Sequence, residues 1–250
     1  MKKINIGKEW TTAVKSTKID REFFNVYEKN LPILSKLFIA STKGMKNIEM
    51  ADFGGWIGVI TDRLKKDHNN KINIFCTCLD SSEELLKQNQ SADSKMCIDI
   101  RESLGKEIYD IGLMRYVLNY NTKGDQLKIL KNIHTALRNS GVFINCWCGV
   151  SDIEHQKKFQ DLFNTKKVNE KLYRLNSYWT TWQENKELFE QTGFDVKIVK
   201  EYRIPINQLY KVRYELSDSE NEQILKFLEK YKFINYVIFT ANKKIDTVQM

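Results

Sequence analysis

Ile48-Glu49-Met50-Ala51-Asp52-Phe53-Gly54-Gly55-Trp56-Ile57-Gly58 is the stretch whose reading decides the fold. Residues 48–53 form a short, largely apolar run that ends at Gly54-Gly55, and helical spacing resumes over about 57–66. That order is strand, glycine turn, helix. In open parallel sheets, ligands lie in the crevice outside the carboxyl ends of such strands. Glycine lets the backbone approach a ligand, and the first helical turn offers unpaired N–H groups.

The same alternation continues outward. Ile72–Asp80 is a mostly apolar strand, and Ser81-x-x-Glu84 reads as a capping box for the next helix. Met96–Ile100 is a short strand ending near Asp99, and Tyr109–Met114 is another. Lys123–Asn139 is an amphipathic helix with Leu127, Leu130, Ile133 and Leu137 at helical spacing, closed by Asn139-Ser140-Gly141. Val142–Trp147 is the fifth strand. Strands and helices in this order predict an α/β fold, a parallel sheet with helices on both faces. Continuous apolar strands agree with burial on both sides.

The flanks are less regular. Residues 8–46 read as helical, with Asp20 as a cap, Phe23, Phe24, Tyr27, Leu31 and Leu34 as the apolar set, and Pro32 interrupting or kinking the helix. After Gly149 comes a polar, aromatic stretch containing Phe159, Phe163, Tyr173, Tyr178, Trp179 and Trp182. Thr181-x-x-Glu184 opens a helix that stops at Gly193, and Phe194–Tyr202 is a strand. Ser217-x-x-Glu220 caps another helix, and Phe233–Ala241 is the last strand. The expected organisation is a helical cap over 1–46 and a sheet domain over 47–250, with insertions about 151–182 and 204–231.

Composition narrows the options. The 250 residues are 42% hydrophobic, enough for a sizeable core. The net charge is +8, but the lysines are spread along the chain without a like-charge block, which argues against a nucleic-acid face. Four of the five cysteines form two C-x-C pairs, Cys76/Cys78 and Cys146/Cys148, inside apolar strands. Alternation points both members of a pair to one face, as buried small hydrophobes. Zinc sites favour C-x₂-C spacing instead. With no apolar leader and no apolar run of membrane length, the expectation is a soluble, cytoplasmic protein.

The glycine turn also discriminates among ligands. Dinucleotide binding needs G-x-G-x-x-G, and Trp56 occupies the second glycine position. Asp52 at the strand end would repel phosphate and favour a cation. No P-loop motif occurs. Asp80 falls about 20 residues beyond the turn, where an acid can accept from both ribose hydroxyls. S-adenosylmethionine carries an ammonium, a sulfonium, a ribose and no phosphate, and it satisfies these conditions.

Residues 47–148 resemble the class I S-adenosylmethionine-dependent methyltransferases of the small-molecule type. Asp52, Gly54 and Gly58 match the acid-and-glycine motif, with Gly55 in the same turn and Trp56 departing from it. The resemblance implies that this turn backs the methionine part of the cofactor and that Asp80 binds the ribose. It implies further that Asp99 meets the adenine amine and Ile100 packs on the ring. Tyr109–Met114 resembles the fourth-strand motif, and Leu137–Val142 the helix-end turn before strand five. The implied architecture is Rossmann-like, a seven-stranded mostly parallel sheet whose closing antiparallel pair would be the strands at Phe194 and Phe233.

Arg115-Tyr116-Val117-Leu118-Asn119-Tyr120 follows the fourth strand, at the mouth of the site. Arg115 is the candidate to bind a substrate carboxylate, phenolate or enolate beside the cofactor. Tyr116 and Asn119 are candidates to position polar groups. Of the three histidines, His68 falls in a polar turn, His134 on the outer face of a helix, and His155 after strand five, where it is the candidate general base. The aromatic cluster over 173–182 would form a lid or substrate wall. Arg115-Tyr116 occupies the strand end where a metal-dependent site would need acids, so no metal is expected. Neither the Asp/Asn-Pro-Pro-Tyr/Phe motif nor a Pro-Cys dipeptide occurs, which excludes two classes of nucleic-acid methyltransferase. The expected activity is methyl transfer to O, N or activated C of a small aromatic or polar metabolite, by a monomer or homodimer, leaving S-adenosylhomocysteine. The alternatives are a non-catalytic binding or regulatory protein of the same fold and an RNA methyltransferase. A nicotinamide oxidoreductase is disfavoured by Trp56 and Asp52.

Overall fold

Each apolar run named above becomes a strand in the computed structural model, which describes residues 30–68, 71–163, 178–205, 222, 226, 227 and 229–244. The strands are β1 (Asn47–Phe53), β2 (Asn73–Asp80), β3 (Ser94–Cys97), β4 (Tyr109–Arg115), β5 (Leu137–Gly149), β6 (Phe194–Pro205) and β7 (Phe233–Lys243). The helices are α1 (Leu31–Ser41), α2 (Val59–His68), α3 (Glu83–Gln88), α4 (Lys123–Ala136), α5 (Ile153–Phe163) and α6 (Trp182–Gln191). One seven-stranded sheet runs β3-β2-β1-β4-β5-β7-β6. β1 to β5 pair in parallel, while β7 lies antiparallel between β5 and β6. This is the α/β architecture that the order of runs predicts.

Two cores sandwich the sheet. Ile48 and Met50 of β1, Ile74 and Cys76 of β2, and Ile144, Cys146 and Cys148 of β5 face Leu34 and Phe38 of α1 and Ile60 and Leu64 of α2. Ala51 and Phe53 of β1, with Phe143 and Trp147 of β5, face Ile129 and Ile133 of α4 and Leu188 and Phe189 of α6. Both C-x-C pairs therefore point to the α1 side, as alternation requires, and all four thiols are free and buried. Full burial of each large apolar side chain is worth roughly 1.5–3 kcal/mol.

Several boundaries differ from the expectation. Pro32 sits in the first turn of α1, where its missing N–H costs nothing, and does not kink the helix. Ser82, not Ser81, caps α3, accepting from Leu85 N–H. β3 is Ser94–Cys97, so Asp99 and Ile100 lie beyond its end. Asn139-Ser140-Gly141 is a bulge inside β5: Tyr109 pairs with Leu137 but Ile111 with Val142. An Arg138–Asp110 ion pair at 2.6 Å bridges the bulge. His68 is buried at the end of α2, bonded to Ser35 at 2.8 Å and stacked on Phe38. His134 is half-buried edge-on against Phe194 and does not lie on an outer face. Asp20, Phe23, Phe24, Tyr27, Tyr173, Ser217, Glu220 and the side chain of Phe163 lie outside the described residues. Among the described residues, no helix is long and apolar enough to cross a membrane.

Candidate functional site

The chain leaves β1 toward β2 on one side, while β4 lies on the other side of β1. That reversal opens a crevice beyond the carboxyl ends of β1 and β4, the place where doubly wound sheets hold ligands. The two loops at the crevice touch. Gly54 has φ +67°, and a Cβ there would stand 2.5 Å from Val117 Cγ2.

Trp56 (φ +51°) and Tyr116 (φ +57°) flank the crevice in left-handed backbone. Such strain costs of order 1–3 kcal/mol in a non-glycine residue and persists only where the surroundings enforce it. At Trp56 the enforcing groups are visible. Its N–H donates to Asp80 Oδ2 at 3.3 Å, and its carbonyl accepts from Asn89 Nδ2 at 3.2 Å. Ser91 Oγ donates to the Gly58 carbonyl at 2.8 Å. Asn89, fully buried, also accepts from the backbone N–H groups of Ser91 and Ala92. The loop between α3 and β3 thus clamps the glycine turn. Sequence reasoning missed Asn89 and Ser91, whose only signal is a polar loop following the second acid.

Two carboxylates border the turn. Asp52 is 4% exposed and accepts from Thr61 Oγ1 at 2.9 Å. Burial pushes its pKa up to about 6, against the opposing pull of the Thr61 bond and of Arg115, and Asp80 adds to the rise. Gly55 leaves room for it: a Cβ there would meet the Asp52 carboxyl carbon at 2.5 Å. Asp80 accepts from Ser82 N–H at 2.9 Å as well as from Trp56. Burial raises its pKa, and the backbone N–H groups of Ser82, Trp56 and Ser81 oppose the rise. An ionised carboxylate has about four acceptor positions, so Asp80 keeps some for a ligand. Arg115 is half-buried at the end of β4 and forms no ion pair within 4 Å among the described residues. Its charge is felt at Asp52 and Cys146.

The remaining candidates separate. Asp99 is engaged by Arg101, whose backbone N–H and guanidinium donate to both carboxylate oxygens. Those bonds outweigh the effect of burial and lower its pKa. Ile100 turns into the second core with Leu104, and Asn132 holds its carbonyl at 3.2 Å. Half-buried Ile98 is left nearer the end of β3. Asn119 is buried and donates to the Cys148 carbonyl at 2.6 Å, so its amide clamps β5 and is not offered to a substrate. Tyr116 packs against Tyr236, the two rings tilted with centroids 5.4 Å apart. His155 is buried at the start of α5, with Nδ1 accepting from Ser151 N–H at 3.3 Å. Its ring stacks on Tyr231 at 4.3 Å, and burial lowers its pKa. The structure thus brings Asp52, Gly54, Gly55, Gly58, Asp80, Arg115 and Tyr116 to one crevice and builds Asn119 and His155 into packed surroundings. In the aromatic stretch, Trp182 packs on Trp147 and Phe239, and Trp179 on Phe159. Tyr178 donates to Glu184 at 2.7 Å. Among the described residues, no three His, Cys, Asp or Glu side chains group as metal ligands.

The fold is shared with solved structures. The YcgJ protein of Bacillus subtilis superposes with a TM-score of 0.63 at 10% identity, over 84% of this chain and 98% of that one. Phosphoethanolamine N-methyltransferase 2 of Haemonchus contortus, in complex with S-adenosylhomocysteine, gives 0.58 at 15% over 88% and 53%. Human N-acetylserotonin methyltransferase, in complex with S-adenosylmethionine, gives 0.55 at 14% over 88% and 53%. The fold is that of the class I methyltransferases. The chain spans about half the length of the last two relatives. No family model and no curated protein sequence matches it.

Proposed function

We propose that the chain binds S-adenosylmethionine at this crevice and transfers its methyl group to a small molecule. The observation that carries the reading is the pair of acids, Asp52 buried and Asp80 half-buried, around a strained glycine turn. Asp52 and Asp80 sit at the carboxyl ends of β1 and β2, and the nearest described cation is Arg115 of β4. Such a site disfavours phosphate and suits a ligand with an ammonium and a sulfonium. The residues present fit that cofactor. Asp80 has acceptor capacity left for ribose hydroxyls, Gly54 and Gly55 let the turn that would back the methionine portion pack closely against Val117 and Asp52, and Ile98, rather than Ile100, is available to the adenine ring. When bound, S-adenosylmethionine supplies an electrophilic methyl on sulfur. Asp52 and Asp80 hold and orient the cation. Arg115 draws the electron-rich atom of the acceptor toward the same face, and Tyr116, fixed in its strained backbone, limits its approach. Positioning of this kind accounts for much of the rate in displacement reactions.

Isothermal titration with S-adenosylhomocysteine tests the reading. Binding in the micromolar range that Asp80→Ala abolishes is the expected result. No heat at millimolar ligand with folded wild-type protein overturns it.

A further inference from the structure

The buried carboxylate of Asp52 is held from α2. Thr61, in the first turn of that helix, is fully buried, and its Oγ1 donates to Asp52 Oδ2 at 2.9 Å. The same Oγ1 stands 3.4 Å from Cys76 Sγ of β2. A hydroxyl has one proton to give. Thr61 gives it to Asp52, so the thiol is the donor toward Thr61. The three side chains form a directed chain, Cys76 to Thr61 to Asp52, that ends on a carboxylate oxygen. The first turn of a helix also carries partial positive charge, which favours an anion beside it. Asp52 is nearly closed to solvent, so its charge acts on the crevice through a low-dielectric surrounding, where a charge is felt most strongly.

Burial works against that charge and pushes the Asp52 pKa up to about 6. The Thr61 bond is the largest influence opposing the rise, ahead of Arg115 of β4, while Asp80 of β2 adds to it. Cys78 of β2 pairs in register with Asp52, and it and Cys76 stay neutral because burial raises both thiols, Cys76 to about 12. The charged side chains of α2 are engaged elsewhere: Arg63 with Asp67, Lys66 with Asp62 and Lys65 with Asp93. Valine would fill the space of Thr61 and supply no proton.

We propose that Thr61 is a positioning residue of the crevice: its hydroxyl keeps the Asp52 carboxylate charged and in place, and the grip of the crevice on a cationic ligand depends on that bond. This role rests on the S-adenosylmethionine reading for the identity of the ligand alone. Protonation of Asp52 removes its charge, so affinity for a cation is full above the Asp52 pKa and falls as pH drops through it. Without the Thr61 donor the charged form loses support, and the fall moves to higher pH.

The test is calorimetric binding of S-adenosylhomocysteine, whose ammonium stays charged, over a pH series spanning that fall. The proteins are the wild type, Thr61→Val, Thr61→Ser, Asp52→Asn, and Thr61→Val combined with Asp52→Asn. The wild type should lose affinity as pH falls through about 6. Thr61→Val should raise that midpoint by about one pH unit, weakening binding about 3- to 10-fold at the wild-type midpoint and less than about 2-fold two units above it. Thr61→Ser should restore the wild-type profile, and Thr61→Val should change nothing once Asp52 is replaced. An unmoved midpoint, a loss equal at every pH, or the same loss in the Asp52→Asn background overturns the role. Should Thr61→Val fail to fold, Thr61→Ala, which also lacks the donor, decides in its place. A carbon-13 titration of the Asp52 carboxyl reads the same shift without ligand, and an unmoved titration overturns the role as well. A moved titration in a protein that binds no S-adenosylhomocysteine at any pH would remove the cofactor reading and leave the hold of Thr61 on Asp52 standing.

Discussion

The Trp56 amide donates to Asp80 Oδ2 at 3.3 Å, so one hydrogen bond joins the glycine turn to the acid ending β2. Removing that carboxylate also removes the acceptor for Ser82 N–H at the start of α3. Asp80→Ala should weaken S-adenosylhomocysteine at least about 100-fold, while Asp80→Asn, which keeps one acceptor oxygen, loses less. Titration calorimetry on both variants checks the order, and equal losses would mean that charge alone matters.

Asp52 behaves differently. Its pKa is raised from 3.8 to about 6 in the folded chain by burial. Between those two values the folded chain holds a proton that the unfolded chain has released, so stability falls as pH rises through that window. Asp52→Asn should therefore stabilise the protein at pH 7 by up to roughly 3 kcal/mol, and the gain should vanish below about pH 4. Cationic ligands should bind the variant more weakly at pH 7. Urea melts at a series of pH values give the first quantity and calorimetry the second.

Gly58 has φ +79°, and a Cβ there would collide with Ser91 Oγ and Asn89 Oδ1. Gly58→Ala should cost about 1–3 kcal/mol of stability and loosen the clamp on Trp56. Asn89→Ala should reproduce the loss of ligand affinity from the other side of the same contact. A thermal melt paired with a ligand titration on each separates strain from clamp.

Asn185 is fully buried in α6, and neither its Oδ1 nor its Nδ2 has a hydrogen-bond partner among the described residues. Desolvated, unpaired polar atoms each cost roughly 1–3 kcal/mol. Asn185→Leu should raise the melting temperature by several degrees without altering ligand binding. A lower melting temperature would point to a bound water in that space.

The strands and the β1 turn were legible because burial on both faces writes continuous apolar runs, and a glycine pair interrupts one of them conspicuously. Contacts made by distant segments were not. His68 lies among polar neighbours in the sequence, and its contacts with Ser35 and Phe38 of the distant α1 are what bury it. Asn139-Ser140-Gly141 carries every local signal of a turn, yet β4 pairs with Leu137 before it and with Val142 after it, which keeps it within β5 as a bulge. In the candidate site, Asp52, Asp80 and Arg115 were readable as polar residues at strand ends. Asn89 was not, because a side chain that serves a neighbouring loop leaves no period. Ile100 went astray because β3 ends at Cys97, which carries the isoleucine past the crevice.

The burial of four thiols leaves Cys97 as the exposed one, and it pairs in register with Asp80. A maleimide dye added to the unmodified chain should therefore attach at a single position, one strand away from the proposed ribose acid. The protein carries its own attachment point for an optical reporter of ligand arrival, with no engineered cysteine to disturb the sheet.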